Sequence, residues 1–188
     1  NPDLRWEKTT TVNVGVDFAF FAGRMSGTLE FYNRNSEDLL ANQMGVPTEG
    51  FGYSTLTFNN GAMRNRGFEL TLRGDIINRG GFVWNMGYML SYNKNKVTKI
   101  NVEAPVYYLQ LDYPEAYPRE GKPYNAIYAY KWAGLSAEGE PQIYDAEGNV
   151  TTTDYTDLDA IHYAGTTVPV YSGSFTNVFT YKNLELSV

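Results

Sequence analysis

The sequence predicts an all-β protein: an antiparallel meander forming part of a large transmembrane β-barrel wall, with short periplasmic turns and long extracellular loops. Three observations favour this fold class. Apolar and polar residues alternate with period 2 over several long segments, very short turns alternate with very long connections, and aromatic residues gather beside the short turns. No apolar run approaches the ~20 residues of a membrane-spanning helix, so strands would have to do any crossing.

Residues 1–36 are predicted to form the first barrel hairpin, with a turn at Phe21–Gly23. Successive side chains of a strand point to opposite faces, so the alternation assigns a face to each position. The apolar face, expected to meet lipid, carries Val12, Val14, Val16, Phe18 and Phe20. The polar face, expected to line a water-filled lumen, carries Asp17, Glu30 and Arg34. Charged side chains stay hydrated in such a lumen, whereas a dry core would make them costly.

Two further hairpins are predicted, at residues 67–97 and 169–188, the last of them truncated. The alternation in the second hairpin extends both sets of side chains. It adds Glu69 and Arg73 to the lumen-facing set, and Trp84 and Tyr88 to the lipid-facing set. A glycine pair between the two strands can supply the positive φ that a tight turn needs.

The two remaining stretches, residues 37–66 and 98–168, are predicted to be extracellular loops. Short turns at one end and long loops at the other are typical of outer-membrane barrels. Within the second loop, Tyr128–Trp132 and Gln142–Tyr144 predict two short strands of a hairpin-like unit. The alternative fold, a soluble β-sandwich carbohydrate-binding module, would pack the apolar faces on each other and would leave the unequal connections unexplained.

The sequence offers little chemistry for catalysis, so we expect no enzyme, no cofactor and no metal ion. It has no cysteine, and only Asp157 and Asp159 lie near the single histidine, His162. Asp154 could add an oxygen ligand, but the glycine-centred loop of common calcium sites is absent from the sequence. Residues 98–168 hold 11 acidic and 4 basic side chains, which argues against nucleic acid as a partner.

The long second loop also carries aromatic side chains that suit substrate binding. Flat aromatic faces beside hydrogen-bonding groups fit sugar rings or peptide side chains. The candidates for contact with a glycan or peptide substrate are Tyr107, Tyr108, Tyr113, Tyr117, Tyr128, Tyr130 and Trp132. The same rings could instead pack the loop against itself or against a partner subunit, and the sequence pattern leaves both roles open.

Short motifs follow one another in a fixed order along nearly the whole chain. The most specific are the opening stretch Asn1–Thr9 and the Asn-Arg-Gly-Phe-Glu-Leu run at Asn65–Leu70. Weaker ones include Asp38-Leu39-Leu40, Asn93–Val97 and Tyr181–Asn183. Together these residues resemble the SusC/RagA-type TonB-linked outer-membrane proteins.

This resemblance implies a complete barrel of about 22 strands around an N-terminal plug, in the outer membrane of a Gram-negative bacterium. Such a protein would import oligosaccharides or peptides with a SusD-like surface lipoprotein, driven through TonB. The chain begins without an initiator Met or signal peptide and stops within the alternating pattern of Leu184–Val188, so we expect a fragment. The remainder of the barrel, the plug and outer-membrane lipid would then be its immediate partners. A surface adhesin would predict internal repeats, which the sequence lacks.

Overall fold

A computed structural model describes residues 4–44, 55–152 and 157–188. The elements in chain order are β1 (Lys8–Phe20), β2 (Met25–Met44), β3 (Thr55–Arg79), β4 (Phe82–Lys99), α1 (Tyr107–Asp112), β5 (Ala126–Tyr130), β6 (Trp132–Leu135), β7 (Pro141–Tyr144), β8 (Val150–Thr152), a 3₁₀ turn (Leu158–Ala160), β9 (Ile161–Thr166), β10 (Tyr171–Tyr181) and β11 (Leu184–Ser187). The largest sheet has the strand order β1-β2-β3-β4-β10-β11, β5 pairs with β9, and β6-β7-β8 form a third sheet. The all-β prediction is confirmed.

The chain divides into two compact units. The loop unit comprises Asn1–Thr9, Ser36–Arg64 and Asn95–Val168, and the strand unit comprises Thr10–Asn35, Asn65–Lys94 and Pro169–Val188. Strands β1 to β4 contribute residues to both units. Within the described ranges, no helix is long and apolar enough to cross a bilayer.

Short turns connect the hairpins of the strand unit at the predicted positions. Between β3 and β4, Gly80 and Gly81 have φ values of 63° and 78°, which glycine adopts without steric cost. Between β1 and β2, Phe21 and Ala22 have φ values of 55° and 54°. This conformation costs a residue that has a β-carbon ~1–2 kcal/mol, so the pairing of the two strands must hold this turn in place.

An aromatic column runs across the apolar face of the strand unit. The antiparallel register of β4 and β10 places Tyr92 opposite Tyr171 and Trp84 opposite Phe179. The ring centroids of these pairs are 4.9 Å and 5.6 Å apart, and Phe68 of β3 continues the column 5.6 Å from Tyr92. Such pairs contribute ~0.5–1.5 kcal/mol each beyond the area they bury. The alternation thus places apolar side chains on one face, as the sequence predicts.

Gly67 allows a side-chain hydrogen bond to span three strands on the polar face. A β-carbon at Gly67 would collide with the Tyr92 carbonyl oxygen and would lie 2.7 Å from the Tyr32 hydroxyl. Because that space is free, the ring of Tyr32 crosses β3 and its hydroxyl donates to Oδ1 of Asn93 on β4 at 2.9 Å. The arrangement explains the glycine in the Asn65–Leu70 motif, since any side chain there would displace the tyrosine.

Strand pairing extends into the predicted loop stretch 37–66. Strand β2 continues to Met44 and β3 already begins at Thr55, although the same stretch, Ser36–Arg64, belongs to the loop unit. The polar residues and glycines of both segments interrupt the alternation, so the sequence pattern does not predict these parts of β2 and β3. Around the second predicted loop, residues 98–168, β4 ends at Lys99 and β10 begins at Tyr171.

Asp38 shifts the face on which the residues of β2 lie. Its φ of 55° interrupts the extended backbone as the extra residue of a β-bulge does. Before it, the hydroxyl of Ser36 lies 2.9 Å from that of Thr9 on the polar face. After it, Leu39 takes this same face and lies against Gly61 of β3. An aliphatic side chain therefore occupies a position that strict alternation would assign to the opposite face.

The loop unit has a small core of its own. Ala126, Tyr128 and Ile161 are buried at its centre. The residues packed around them are Tyr107, Leu111, Tyr130, Leu158 and Tyr163. The first predicted short strand, Tyr128–Trp132, is divided at Lys131 between β5 and β6, and the second corresponds to β7. Strand β5 pairs with β9, and β7 lies between β6 and β8. The hairpin-like unit is therefore a three-stranded sheet beside a separate two-stranded one.

We predict that Gly67→Val lowers the stability of the folded barrel protein. The side chain would displace Tyr32 and push against the β4 backbone, and overpacking of this kind costs ~1–3 kcal/mol. The measurement is the temperature at which the full-length protein in detergent loses its compact, heat-modifiable form in gel electrophoresis. Gly87→Val is the matched control, because a β-carbon there meets only Thr176 at 3.8 Å. Equal melting of both variants would contradict the prediction.

Candidate functional site

The polar face of the strand unit forms a shallow concavity of ≈ 490 Å³. Three of the predicted lumen-facing residues, Glu30, Arg34 and Glu69, line it together. Neutral hydrogen-bonding groups complete the lining: Thr11, Asn13, Tyr32, Asn65 and Asn93. Carboxylates, a guanidinium and amides in one open concavity can bind water or polar solutes.

Asp17 and Arg73 lie outside this concavity. The Thr28 hydroxyl donates to Oδ1 of Asp17 at 2.8 Å, and Thr28 precedes Glu30 on the same face of β2. Arg73 lines a separate depression of ≈ 380 Å³ that also includes Asn85 and Ser174. The five predicted residues therefore follow one face of the sheet without forming a single site.

The apolar face of β1 is open. Val12, Val14 and Val16 retain 59%, 61% and 58% of their exposure, and Phe20 retains 54%. Phe18, Trp84 and Tyr88 are half-buried beside their cross-strand neighbours. A row of exposed aliphatic side chains of this length is the mark of a surface that meets lipid or another protein.

A cleft of ≈ 680 Å³ lies within the loop unit. Its aliphatic lining is Leu39, Leu40, Ala41, Ala62, Met63, Val97, Ile100 and Pro118. Its charged and phenolic groups are Glu7, Lys99, Glu115, Tyr117 and Tyr124. Of these residues, only Tyr117 was predicted from the sequence to contact substrate. The interrupted alternation around Asp38 was the one signal that aliphatic residues change face here.

Asn59 holds one rim of the cleft. Its side-chain amide accepts from the backbone N–H of Arg5 at 2.6 Å and donates to the Arg5 carbonyl at 2.8 Å, as a neighbouring strand would. It also donates to the Asp38 carbonyl at 2.6 Å. A further contact follows along the same segment, where Oε1 of Glu7 accepts from the N–H of Leu40 at 3.0 Å. The second half of the Asn1–Thr9 motif thus positions a carboxylate; Asn1–Asp3 lie outside the described residues.

The opposite wall of the cleft is pinned to the end of β4. The backbone of Val97 donates to the Lys122 carbonyl at 2.8 Å and accepts from Gly121 N–H at 2.9 Å. The N–H of Tyr124 donates to Oδ1 of Asn95 at 2.6 Å. These bonds fix the segment that carries Tyr117 and Pro118 as if it were a short additional strand.

Arg119 links this wall to the core of the loop unit. Its guanidinium donates to Oε1 of Gln110 and to the Ile161 carbonyl, both at 3.0 Å. It also lies 5.0 Å from the ring centre of Tyr128. Gln110, which is buried, in turn donates to the Tyr117 carbonyl at 3.1 Å. One cation therefore connects α1, β5 and β9 with the cleft.

The seven candidate aromatic residues fall into three groups. Tyr128 is only 5% exposed, and Tyr107 and Tyr130 pack around it. Tyr117 lines the cleft, whereas Tyr108, Tyr113 and Trp132 are exposed by 49%, 54% and 59%. Burial raises the pKa of Tyr128 and of Tyr130; therefore both phenols stay neutral well above neutral pH. The buried group around Tyr128 therefore packs the loop unit. Tyr117 and the exposed group remain candidates for contact with a substrate.

The residues considered for a metal ion form no group of ligands in the described part of the chain. His162 is exposed on β9, opposite Ala129. Oδ1 of Asp157 accepts from the N–H of Asp159 at the start of the 3₁₀ turn. Asp154 lies outside the described residues. In the ranges that the structure covers, no three His, Cys, Asp or Glu side chains are grouped to hold a metal ion.

We predict that Arg119→Met loosens the loop unit and leaves the strand unit intact. The variant removes the charge-assisted hydrogen bonds that Gln110 and Ile161 receive, each worth ~1.5–3 kcal/mol. Hydrogen–deuterium exchange on the full-length protein should show faster exchange in α1, β5 and β9, with β4 and β10 unchanged. Lys131→Met, which removes an exposed cation lying over the Tyr144 ring, should leave all five segments protected. Unchanged exchange in Arg119→Met would refute this role.

Comparison with known proteins finds similarity to TonB-dependent receptors. A family model described as TonB dependent receptor-like, beta-barrel, matches residues 1–185. The TonB-dependent receptor SusC of Bacteroides thetaiotaomicron is 37% identical over 100 residues, which cover 53% of this chain and 10% of SusC. The TonB-dependent receptor P3 of Formosa agariphila is 26% identical over 213 residues, covering 100% of this chain and 20% of that protein.

A solved structure shows the same similarity in three dimensions. The RagAB peptide importer in its closed-closed state matches 100% of this chain and 21% of the importer chain, with a TM-score of 0.78 and 28% identity. The chain thus spans between 10% and 21% of the length of these proteins. The predictions of a barrel-wall fold and of a non-enzymatic protein are confirmed, as is the resemblance drawn from the motifs. The chain belongs to the TonB-dependent receptor-like β-barrel family.

Proposed function

We propose that this chain forms part of the wall and the extracellular loops of a TonB-dependent importer in the outer membrane of a Gram-negative bacterium. The observation that carries the proposal is the two-faced sheet of the strand unit. One face presents valines and an aromatic column, and the other presents Asp17, Glu30 and Glu69 among amides and hydroxyls. Strand β10 has 11 residues, and a tilted strand needs about 9–11 to cross a bilayer.

The polar face is proposed to line the lumen. Its concavity contains both signs of charge, from Glu30, Glu69 and Arg34, beside uncharged hydrogen-bonding groups. Hydrated charges of this kind suit a wide aqueous passage, and they would be expensive in the packed interior of a sandwich. This difference favours the importer over the soluble carbohydrate-binding module.

The cleft of the loop unit is proposed to contact the imported solute, and its chemistry favours a peptide over a glycan. An aliphatic floor that includes Leu39, Met63 and Val97 suits apolar side chains. Glu7 or Glu115 could pair with an ammonium group of the peptide, and Lys99 with a carboxylate. The similarity to a peptide importer agrees with this preference. A glycan is the second candidate, favoured by the exposed rings of Tyr108, Tyr113 and Trp132.

A SusD-like surface lipoprotein is the proposed partner at the loop unit. The three-stranded sheet exposes Trp132, Leu135 and Val150 by 59%, 62% and 52%. Aromatic and aliphatic side chains of this kind are enriched at the centres of protein interfaces. Contact with TonB is proposed for the plug of the complete protein, with the barrel wall serving as its frame.

The membrane orientation predicts opposite outcomes for two adjacent substitutions. Val14→Arg on the apolar face should destabilise the full-length protein in a bilayer by ~2–4 kcal/mol, because the charge would enter lipid near mid-depth. Asn13→Arg adds the same charge on the polar face, where the Asn13 amide faces Glu30, and should be tolerated. The measurement is unfolding by denaturant in lipid vesicles. Equal stability of the two variants would remove the basis for a lipid-facing sheet.

The solute-binding role of the cleft is tested by filling it. Ala41→Trp should reduce uptake of a labelled peptide mixture about tenfold, by occluding the aliphatic floor. Ala146→Trp, in the exposed turn after β7, is the matched control and should transport as the unmodified protein does. Cell-surface amounts of both variants must be equal. Normal peptide uptake by Ala41→Trp would show that the cleft does not bind the solute, and selective loss of oligosaccharide uptake would favour the glycan.

A further inference from the structure

The apolar face of the strand unit contains a groove of ≈ 390 Å³ next to the β1–β2 turn. Its sides are aliphatic and aromatic, formed by Phe21, Met25, Leu72, Ile76 and Met86. Leu72 and Ile76 are four residues apart on β3, so the groove runs ~13 Å along the strand. It starts at the short-turn end of the sheet and points towards the middle of the strands.

The groove exists because Gly74 lacks a side chain. The other apolar-face positions nearby carry Met25 on β2 and Met86 on β4, and all three residues line the groove. Nothing in the backbone requires glycine at this position: the φ of Gly74 lies outside the left-handed region, and a β-carbon would meet its nearest neighbour, Ile76, at an ordinary 3.6 Å. Gly27 on the same face differs, because a β-carbon there would lie 2.6 Å from the ring of Phe18. The space above Gly74 is therefore available to another molecule.

Arg24 brings a cation to the turn end of this groove. Its Nη2 donates to the carbonyls of Asp75 and Ile76 at 3.0 Å and 3.3 Å, which fixes the guanidinium beside β3. Its Nε and Nη1 groups donate to no atom in the described part of the chain. The carboxylate of Asp75, a residue that also lines the groove, accepts a hydrogen bond from the side chain of Asn85. A guanidinium with free donors on one edge binds phosphate oxygens in a bidentate manner.

We propose that this groove binds one anionic phospholipid, with an acyl chain over Gly74 and the phosphate on Arg24. The inference rests on the proposed membrane orientation of the sheet. In that orientation the short turns lie at the depth of the headgroups and the aliphatic sides lie at the depth of the acyl chains. An anionic headgroup is favoured over a zwitterionic one, because the latter adds an ammonium group beside Arg24. The lipid fills the space that the missing side chain of Gly74 leaves.

Native mass spectrometry of the full-length protein tests the proposal, with phosphatidylglycerol added to the detergent solution. The unmodified protein should retain one phosphatidylglycerol that phosphatidylethanolamine does not replace. Arg24→Gln should lower this occupancy about tenfold by removing the phosphate contact. Gly74→Leu should lower it similarly by filling the groove, in a position where a side chain is sterically allowed. Arg79→Gln removes a cation from the neighbouring turn and should retain the lipid.

Each possible result distinguishes a specific lipid site from unspecific attraction and from a site for free phosphate. Retention of phosphatidylglycerol by both Arg24→Gln and Gly74→Leu would overturn the proposal, as would an equal loss in Arg79→Gln, which would indicate unspecific attraction to positive charge. Displacement of the lipid by inorganic phosphate would assign the site to free phosphate and overturn the acyl-chain contact. A protein that stays monodisperse without detergent would refute the membrane orientation itself. Failure of the unmodified protein to retain the lipid in the groove would overturn only the lipid site and would leave the importer proposal standing.

Discussion

Register between neighbouring strands is the constraint on which the rest of this structure depends. Side chains alternate with period 2, so a slip of one residue would exchange the valines of β1 with its polar residues. The aromatic pairs between β4 and β10 oppose such a slip on one face. On the other face Tyr32 spans three strands to reach Asn93, and it can do so only over Gly67. Both faces therefore specify the same pairing.

The sequence was sufficient to predict strands and turns wherever one physical rule acted alone. Regular alternation predicted β1, β4 and β10, and paired glycines predicted the turn between β3 and β4. It was insufficient where a local irregularity reversed the rule. Asp38 moves Leu39 to the face of Ser36, and no sequence pattern distinguishes that bulge from the end of a strand. The cleft was missed for the same reason, since its aliphatic floor depends on this change of face.

The loop unit shows a different limit of sequence patterns, because its contacts join residues far apart in the chain. Tyr128 and Trp132 are four residues apart and equally aromatic, yet one is 5% and the other 59% exposed. What separates them is the pairing of β5 with β9, about 35 residues later in the chain. Arg119 has no distinguishing sequence context either, although it contacts Gln110, Ile161 and Tyr128. Local patterns identify the strands here but not their partners.

The side-chain hydrogen bonds of Asn59 have an effect beyond the segments that they join. Its side-chain amide copies the hydrogen-bonding pattern of a peptide group, and thereby joins β3 to the segment before β1. The carboxylate of Glu7, two residues beyond the joined Arg5, takes its place at the cleft from this link. A change at position 59 would thus alter the electrostatics of a surface that Asn59 itself does not line. The charge that a surface presents can therefore change without substitution of the residues that line it, because a residue of the supporting scaffold sets the position of the charged group.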